Sequence, residues 1–357
     1  MTGRGIDQVL PLPSTPILHE DYVESALEYV EMAERANGPI PKPVEFSYIW
    51  GDAAAEFGRV APAARIVNLE TSITTSDTYE AKGINYRMHP VNTPCLTAAK
   101  IDCCVLANNH VLDWGQCGLV ETVASLRRAG MKTAGAGRNL AEAVEPAVIE
   151  IGGNSRVLVF AVATGDSGIP WNWGATDATA GIALLPDLSD RAVGQIAQRV
   201  SVMKRPGDVV VLSIHWGSNW GYKIPREQQV FAHKLIDLAV VDAVHGHSSH
   251  HPKAIEIYRD KPILYGCGDF LNDYEGISGY EEFRSHLVLM YFVTIDPSTR
   301  NLMRLEMTPL EIRRFQLHRV TGRDAAWLHE TLNRESKQMG TEVMLNGDNR
   351  LFLQWRR

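Results

Sequence analysis

Positive charge is in short supply along this chain. Its 357 residues carry 35 Lys and Arg against 42 Asp and Glu, a formal net charge of −7. Clamping nucleic-acid phosphates or an anionic bilayer takes clustered cations, so neither nucleic acid nor acidic lipid is expected as a partner. Long hydrophobic runs are lacking too. The longest, 287–295 (LVLMYFVTI) and 209–214 (VVVLSI), have strand length and fall far short of the roughly 20 residues that span a bilayer. The opening, Met1-Thr2-Gly3-Arg4-Gly5-Ile6-Asp7, has no apolar core segment and reads as neither signal peptide nor membrane anchor. Cysteine is sparse: Cys95, Cys103, Cys104, Cys117 and Cys267 are odd in number and irregular in spacing. Structural disulfides are therefore not expected, and a reduced, cytoplasmic setting is.

What is present suits a folded chain with a large core: 45 % of residues are apolar and 22 % charged. Short apolar runs alternate with helix-length amphipathic segments, the pattern of α/β layering. Strands are predicted at 65–69, 102–107, 157–163, 209–214, 262–265 and 287–295, and helices at 188–203 and 226–240. Asn92-Thr93-Pro94 supplies a capped helix start, predicting a helix to about Lys100. Leu119, Val123 and Leu126 predict another over 115–129, with Gly130 at its end. The stretch 165–181 (GDSGIPWNWGATDATAG) is too long for an ordinary connection, and 325–357 reads as a helix, a glycine-containing turn and a short strand. With no strong linker, one domain is expected, divided into a body over 1–310 and an appendage over 311–357 packed on it. Oligomeric state is left open.

Four short sequences place polar, metal-ligand residue types directly after buried strands: Asn68-Leu69-Glu70-Thr71; Asn108-Asn109-His110 with Leu112-Asp113-Trp114-Gly115; His215-Trp216-Gly217; and His245-Gly246-His247-Ser248-Ser249-His250-His251-Pro252. In an open α/β sheet the strand carboxyl ends share one edge, so these distant segments are able to converge. Taken singly they are weak: Glu70 fits a solvent-facing strand end, Asn108-Asn109-His110 a self-satisfied turn, and His215 a core histidine. Four histidines within 245–251 are not explained by packing. Neutral imidazole with carboxylate and amide oxygen suits Zn, Mn or Fe.

The order and spacing of these four motifs resemble the CapA family, poly-γ-glutamate capsule-synthesis-type proteins within the calcineurin-like metallophosphatase superfamily. The resemblance runs from Met1 to about Ile295 and includes Ile84-Asn85-Tyr86-Arg87-Met88-His89-Pro90 and Tyr265-Gly266-Cys267-Gly268-Asp269-Phe270. It implies a four-layer α/β/β/α sandwich with a two-metal site at the sheet edge. Carried over by motif, Glu70 stands at the metal-bridging carboxylate, Asn109 at the amide ligand and His110 at the general acid. His215 and His247 match further ligands of one ion, and His250 a ligand of the other. The family's first motif, Gly-Asp-x-Met-x-Gly-Arg, is matched only from Met1 onward, so the N-terminal strand and its Asp are expected to lie upstream of Met1. As the sequence stands, the resemblance leaves one divalent site (Mn, Fe or Zn) with four candidate ligands, Glu70, Asn109, His215 and His247, and the second with only Glu70 and His250.

Two functional readings follow. One is metal-dependent hydrolysis or transfer at an amide (peptide, γ-glutamyl) or phosphoester bond of a peptide-like or small anionic substrate. The other is a metal-independent peptide Cα-epimerase of lasso-peptide biosynthesis, which also resembles this family and needs an acid and a base on opposite faces of a carbon. A degenerate, non-catalytic binding module is the remaining alternative. Arg87 reads as a two-pronged carboxylate or phosphate contact or a surface arginine. Trp171 and Trp173 read as a lid over the substrate or as loop packing, and His286 as a proton donor or a capping residue.

Overall fold

The computed structural model describes residues 1–153 and 155–356. Strands Ile66–Asn68, Cys103–Val105 and Lys132–Ala134 form a small parallel sheet. Strands Arg156–Thr164, Val209–His215, Ala243–His247 and Lys261–Leu264 are the parallel centre of a second, seven-stranded sheet, with Leu184–Leu185 alongside. Antiparallel Ala147–Glu150 and Ile255–Tyr258 complete it.

The long strand Arg156–Thr164 is buried throughout, and its alternate side chains show the layering. Val157, Val159, Ala161 and Ala163 enter the core shared with the small sheet. Leu158, Phe160 and Val162 turn the other way, toward helices Asp190–Met203 and Arg226–Asp237. Helix Gly115–Arg128 covers the small sheet with Leu119, Val123 and Leu126. Helix, sheet, sheet, helix is the expected α/β/β/α sandwich. A strand buried on both faces has to read as a continuous apolar run, which is why the sequence announced it.

A third, antiparallel sheet holds Leu287–Ile295, Leu302–Arg313, Gln316–Arg319, Thr341–Leu345 and Leu351–Trp355. Val288, Met290 and Phe292 join the sandwich core, while Leu287 and Leu289 pack with Leu328 and Leu332 of helix Gly322–Lys337. The 310/311 position falls inside strand Leu302–Arg313. The C-terminal segment contributes two strands after its helix, where the sequence suggested one. The helix predicted at 92–100 is instead a 3₁₀ turn, Pro90–Asn92, followed by the short helix Pro94–Ala98. Asn92 does not cap it: its side-chain amide bonds Asp7 and the Leu12 carbonyl, tying the segment to the N-terminus.

All five cysteines are free. No helix among the described residues is long and apolar enough to cross a membrane.

Candidate metal and acid–base site

The parallel strands deliver their last residues to one edge. The register sets Ser213 beside His245 and His215 beside His247. His215 Nδ1 lies 2.7 Å from His247 Nδ1, Ser213 Oγ lies 2.9 Å from His247 Nε2, and the same hydroxyl is 3.0 Å from His245 Nδ1. With His215 donating to His247, His247 to Ser213 and Ser213 to His245, each contact has one donor and one acceptor, and His215 Nε2 keeps a free lone pair. That atom is buried and unpartnered. Burial, reinforced by the charges of His110, His250 and Lys82, drives the His215 pKa far below its ordinary value and keeps the ring neutral. His247 is likewise pushed down by burial and by its two histidine neighbours.

The loop after Ile66–Asn68 brings Glu70, whose carboxylate accepts a 2.9 Å bond from Asn68 Nδ2. Asn108 braces this loop, donating to Asn68 Oδ1 and the Leu69 carbonyl at 3.0 Å each, and its own oxygen accepts from the His110 backbone amide. Burial raises the Glu70 pKa to about 6, with Asp269 adding to the rise and His250 opposing it. His250 Nδ1 sits 3.1 Å from Asp269 Oδ1. Burial works against its imidazolium, yet Asp269 and Glu70 outweigh it and the pKa rises. Asn272 holds the other Asp269 oxygen at 2.8 Å.

Asn109 and His110 follow the neighbouring strand of the small sheet. His110 Nδ1 is 2.7 Å from Asp113 Oδ2, and Asp113 Oδ1 accepts from Lys82 Nζ at 2.8 Å. Lys82 also donates to the Asn109 carbonyl and lies 5.0 Å from the Trp173 ring centre. Tyr86 packs edge-on against His110 at 4.6 Å and donates to the Tyr274 hydroxyl. Burial takes the His110 pKa down to about 4, Asp113 opposing and Lys82 assisting.

Glu70, Asn109, His110, His215, His247 and His250 are thus gathered at one edge. The donor set was tested against a divalent ion. Among the described residues no three His, Cys, Asp or Glu side chains stand together as a ready cage. Two orphaned buried atoms, Asn109 Oδ1 and His215 Nε2, are nonetheless what a mixed amide–imidazole–carboxylate set would offer one ion. Both ring nitrogens of His247 are engaged, so it joins such a set only by releasing His215 or Ser213.

Of the remaining candidates, Arg87, His286 and Trp171 lie elsewhere, and Trp173 reaches the site through Lys82. Arg87 is spent on the Ser76 and Thr15 carbonyls, Asp77 and the face of Trp114. His286 is exposed, and the charges that act on it are Asp324, Glu311 and Arg284. Trp173 is buried beside Lys82, whereas Trp171 is 64 % exposed, its ring against Gly165. Sequence reasoning assigned no role to Lys82, Asp113, Asp269 or Ser213. The three-residue interval from His110 to Asp113 was a usable signal for one of them; Lys82 sits in a loop with no pattern.

The chain matches the family described as bacterial capsule synthesis protein PGA_cap over residues 1–274. It is 48 % identical over 353 residues to a Mycobacterium tuberculosis protein named "probable polyglutamine synthesis accessory protein", covering 98 % of this chain and 93 % of that one. It is 24 % identical over 249 residues to the PGA biosynthesis protein CapA of Bacillus subtilis (69 % and 60 % covered) and 26 % over 168 residues to the capsule biosynthesis protein CapA of Bacillus anthracis (47 % and 39 %). The fold is thus an α/β sandwich of metallophosphatase type, with polar donors at its sheet edge. The chain belongs to the CapA-like bacterial capsule synthesis family.

Proposed function

We propose that this protein is a polyglutamate-synthesis accessory enzyme that carries out metal-dependent hydrolysis or transfer at an amide or phosphoester bond of a peptide-like, anionic substrate. The observation that carries the reading is the convergence of Glu70, Asn109, His215, His247 and His250, with two orphaned buried donor atoms among them. Glu70, Asn109 and His215 would hold one divalent ion, with His247 and His250 alongside. Such an ion supplies Lewis acidity and a water acidified toward neutral pH.

The chain's own residues do the rest. Asp113 and Lys82 fix the His110 ring through Nδ1 and burial keeps it neutral, so Nε2 carries a lone pair and would first accept a proton from water or substrate and then pass it to a leaving group. Tyr86 sets the tilt of that ring. Trp173, packed over Lys82, closes the site from the glycine-rich segment and limits water.

Metal analysis with single variants tests this. We expect about one equivalent of Mn, Fe or Zn per chain, lost in His215→Ala and Asn109→Ala, together with chelator-sensitive cleavage of γ-glutamyl oligomers. A metal-free, chelator-insensitive protein that exchanges deuterium into a peptide α-carbon would overturn the reading in favour of epimerisation.

A further inference from the structure

Both ring nitrogens of His247 are engaged, so an ion can claim this side chain only at the expense of one partner. Which partner yields is set by Ser213, deeper on the neighbouring strand. Strand Val209–His215 is apolar up to that position. Ser213 is fully buried, with Ala161 beside it in register on one side and His245 on the other. Packing has no need of a hydroxyl there, and a buried hydroxyl without a hydrogen bond is costly. Among the described residues its partners are two imidazoles, His247 Nε2 at 2.9 Å and His245 Nδ1 at 3.0 Å.

A hydroxyl has one hydrogen to give, so it donates to one ring and accepts from the other. The row His215, His247, Ser213, His245 therefore has two self-consistent senses. In the first, His247 donates from Nε2 to Ser213, Ser213 donates to His245, and His215 Nε2 ends the row as a bare lone pair. In the second every hydrogen is reversed, and His215 Nε2 ends the row as a sealed N–H with no acceptor. A sealed N–H forfeits its hydrogen bond outright, whereas a bare imidazole lone pair is what a cation binds, and this selects the first sense. The far end is open to it. His245 is only half-buried and its Nε2 is not among the sealed, unpartnered atoms, so water can take that N–H.

We propose that Ser213 and His245 are positioning residues that hold His247 with its N–H turned inward and its Nδ1 lone pair turned toward the strand end. They act through His247 and touch neither ion nor substrate. Since only Nδ1 has a lone pair to offer, the partner His247 gives up on joining a donor set is His215, and Ser213 stays bound. A hydrogen-bond partner behind a ligating imidazole fixes its tautomer and its orientation. The inference rests on the metal reading only for what the lone pair is used for. The tautomer itself is a property of the protein without metal.

The test reads the tautomer directly, from long-range proton–nitrogen correlation spectra of the full chain, carrying isotope-labelled histidine and stripped of metal. The His247 signals are those lost in His247→Gln. In the parent we expect His247 to be protonated at Nε2. Ser213→Ala, a small deletion, should stay folded by thermal melt and let the proton spread over both nitrogens. Ser213→Thr keeps the hydroxyl and should restore the parent pattern. His245→Phe removes the acceptor and leaves Ser213 to donate to His247, so the His247 proton should move to Nδ1. His245→Asn, which keeps an acceptor near the same place, should not move it. Calorimetric titration with Mn and Zn then shows what the tautomer is for: Ser213→Ala should bind about tenfold more weakly or worse, and Ser213→Thr close to the parent. A parent that binds no metal but shows these tautomers sinks the metal reading and leaves the positioning standing. Three outcomes would overturn the assignment: a parent His247 protonated at Nδ1, a tautomer indifferent to both Ser213→Ala and His245→Phe, or a metal-binding parent whose affinity Ser213→Ala matches.

Discussion

Glu56 is the most consequential carboxylate outside the site, and its removal has a calculable signature. It sits on helix Ala53–Val60, buried, and accepts from Arg59 at 2.8 Å, Arg319 at 2.8 Å, Arg350 at 3.0 Å and Thr308 at 3.0 Å. Thr308, Arg319 and Arg350 belong to the third sheet and its hairpin, so one side chain ties that sheet to the helix. Burial alone would raise its pKa; the bonds from Arg350, Arg59 and Thr308 outweigh burial and hold it at about 2 against an ordinary 4.5. That displacement corresponds to at most about 3.4 kcal/mol. Solvent reaches the arginines, whose side chains are 15–35 % exposed, and screening brings the figure to about 2 kcal/mol. Because the folded pKa is depressed, the stabilisation is fully present above pH 4.5 and drains away as pH falls toward 2. Glu56→Gln should therefore cost about 2 kcal/mol at pH 7 by urea unfolding, and the gap to the parent should narrow by roughly 40 % at pH 3.5. A cost that is the same at both pH values, or below about 0.5 kcal/mol at pH 7, would refute the electrostatic account.

Three further outcomes are expected. Asp113→Asn weakens the contacts to His110, Lys82 and the Tyr86 amide, so unfolding should become easier by about 3 kcal/mol and turnover should fall at least tenfold, read by denaturant titration and a cleavage assay. Gly246→Ala places a methyl 2.5 Å from the carbonyl oxygens of Leu264 and Tyr265, between paired strands that have no room to part; expression of soluble protein should drop sharply, and near-normal stability would show that the strands do separate. Trp173→Ala should destabilise by about 3–5 kcal/mol while Trp171→Ala stays within about 0.5 kcal/mol, since one ring is buried and the other exposed; thermal melts of the two decide it.

Much of this arrangement was legible before any coordinates. The apolar runs 157–163, 209–214 and 287–295 became strands Arg156–Thr164, Val209–His215 and Leu287–Ile295, because strands covered on both faces leave no polar interruption to misread. The helix at 115–129 showed in its leucine and valine spacing. The segment 92–100 misled because its capping residues were real in type but recruited elsewhere: Asn92 serves Asp7, and Lys100 turns to φ +52, ending the helix early. At the site, strand-terminal His, Asn and Glu were visible as chemistry out of place in apolar context. Lys82, Asp269 and Ser213 were not, since their meaning comes only from partners brought near by folding, 31, 19 and 34 residues away.

The register that seats Ser213 beside His245 and His215 beside His247 also dictates an order of events. No continuous stretch of chain carries more than two or three of the gathered donors, and they meet only through parallel pairings between segments far apart in sequence, the slowest contacts to form. An emerging or partly folded chain therefore offers no local fragment with the whole donor set, the histidine run 245–251 being the nearest to one. A ligand that needs the whole set meets a finished fold, and its loading would be a late step.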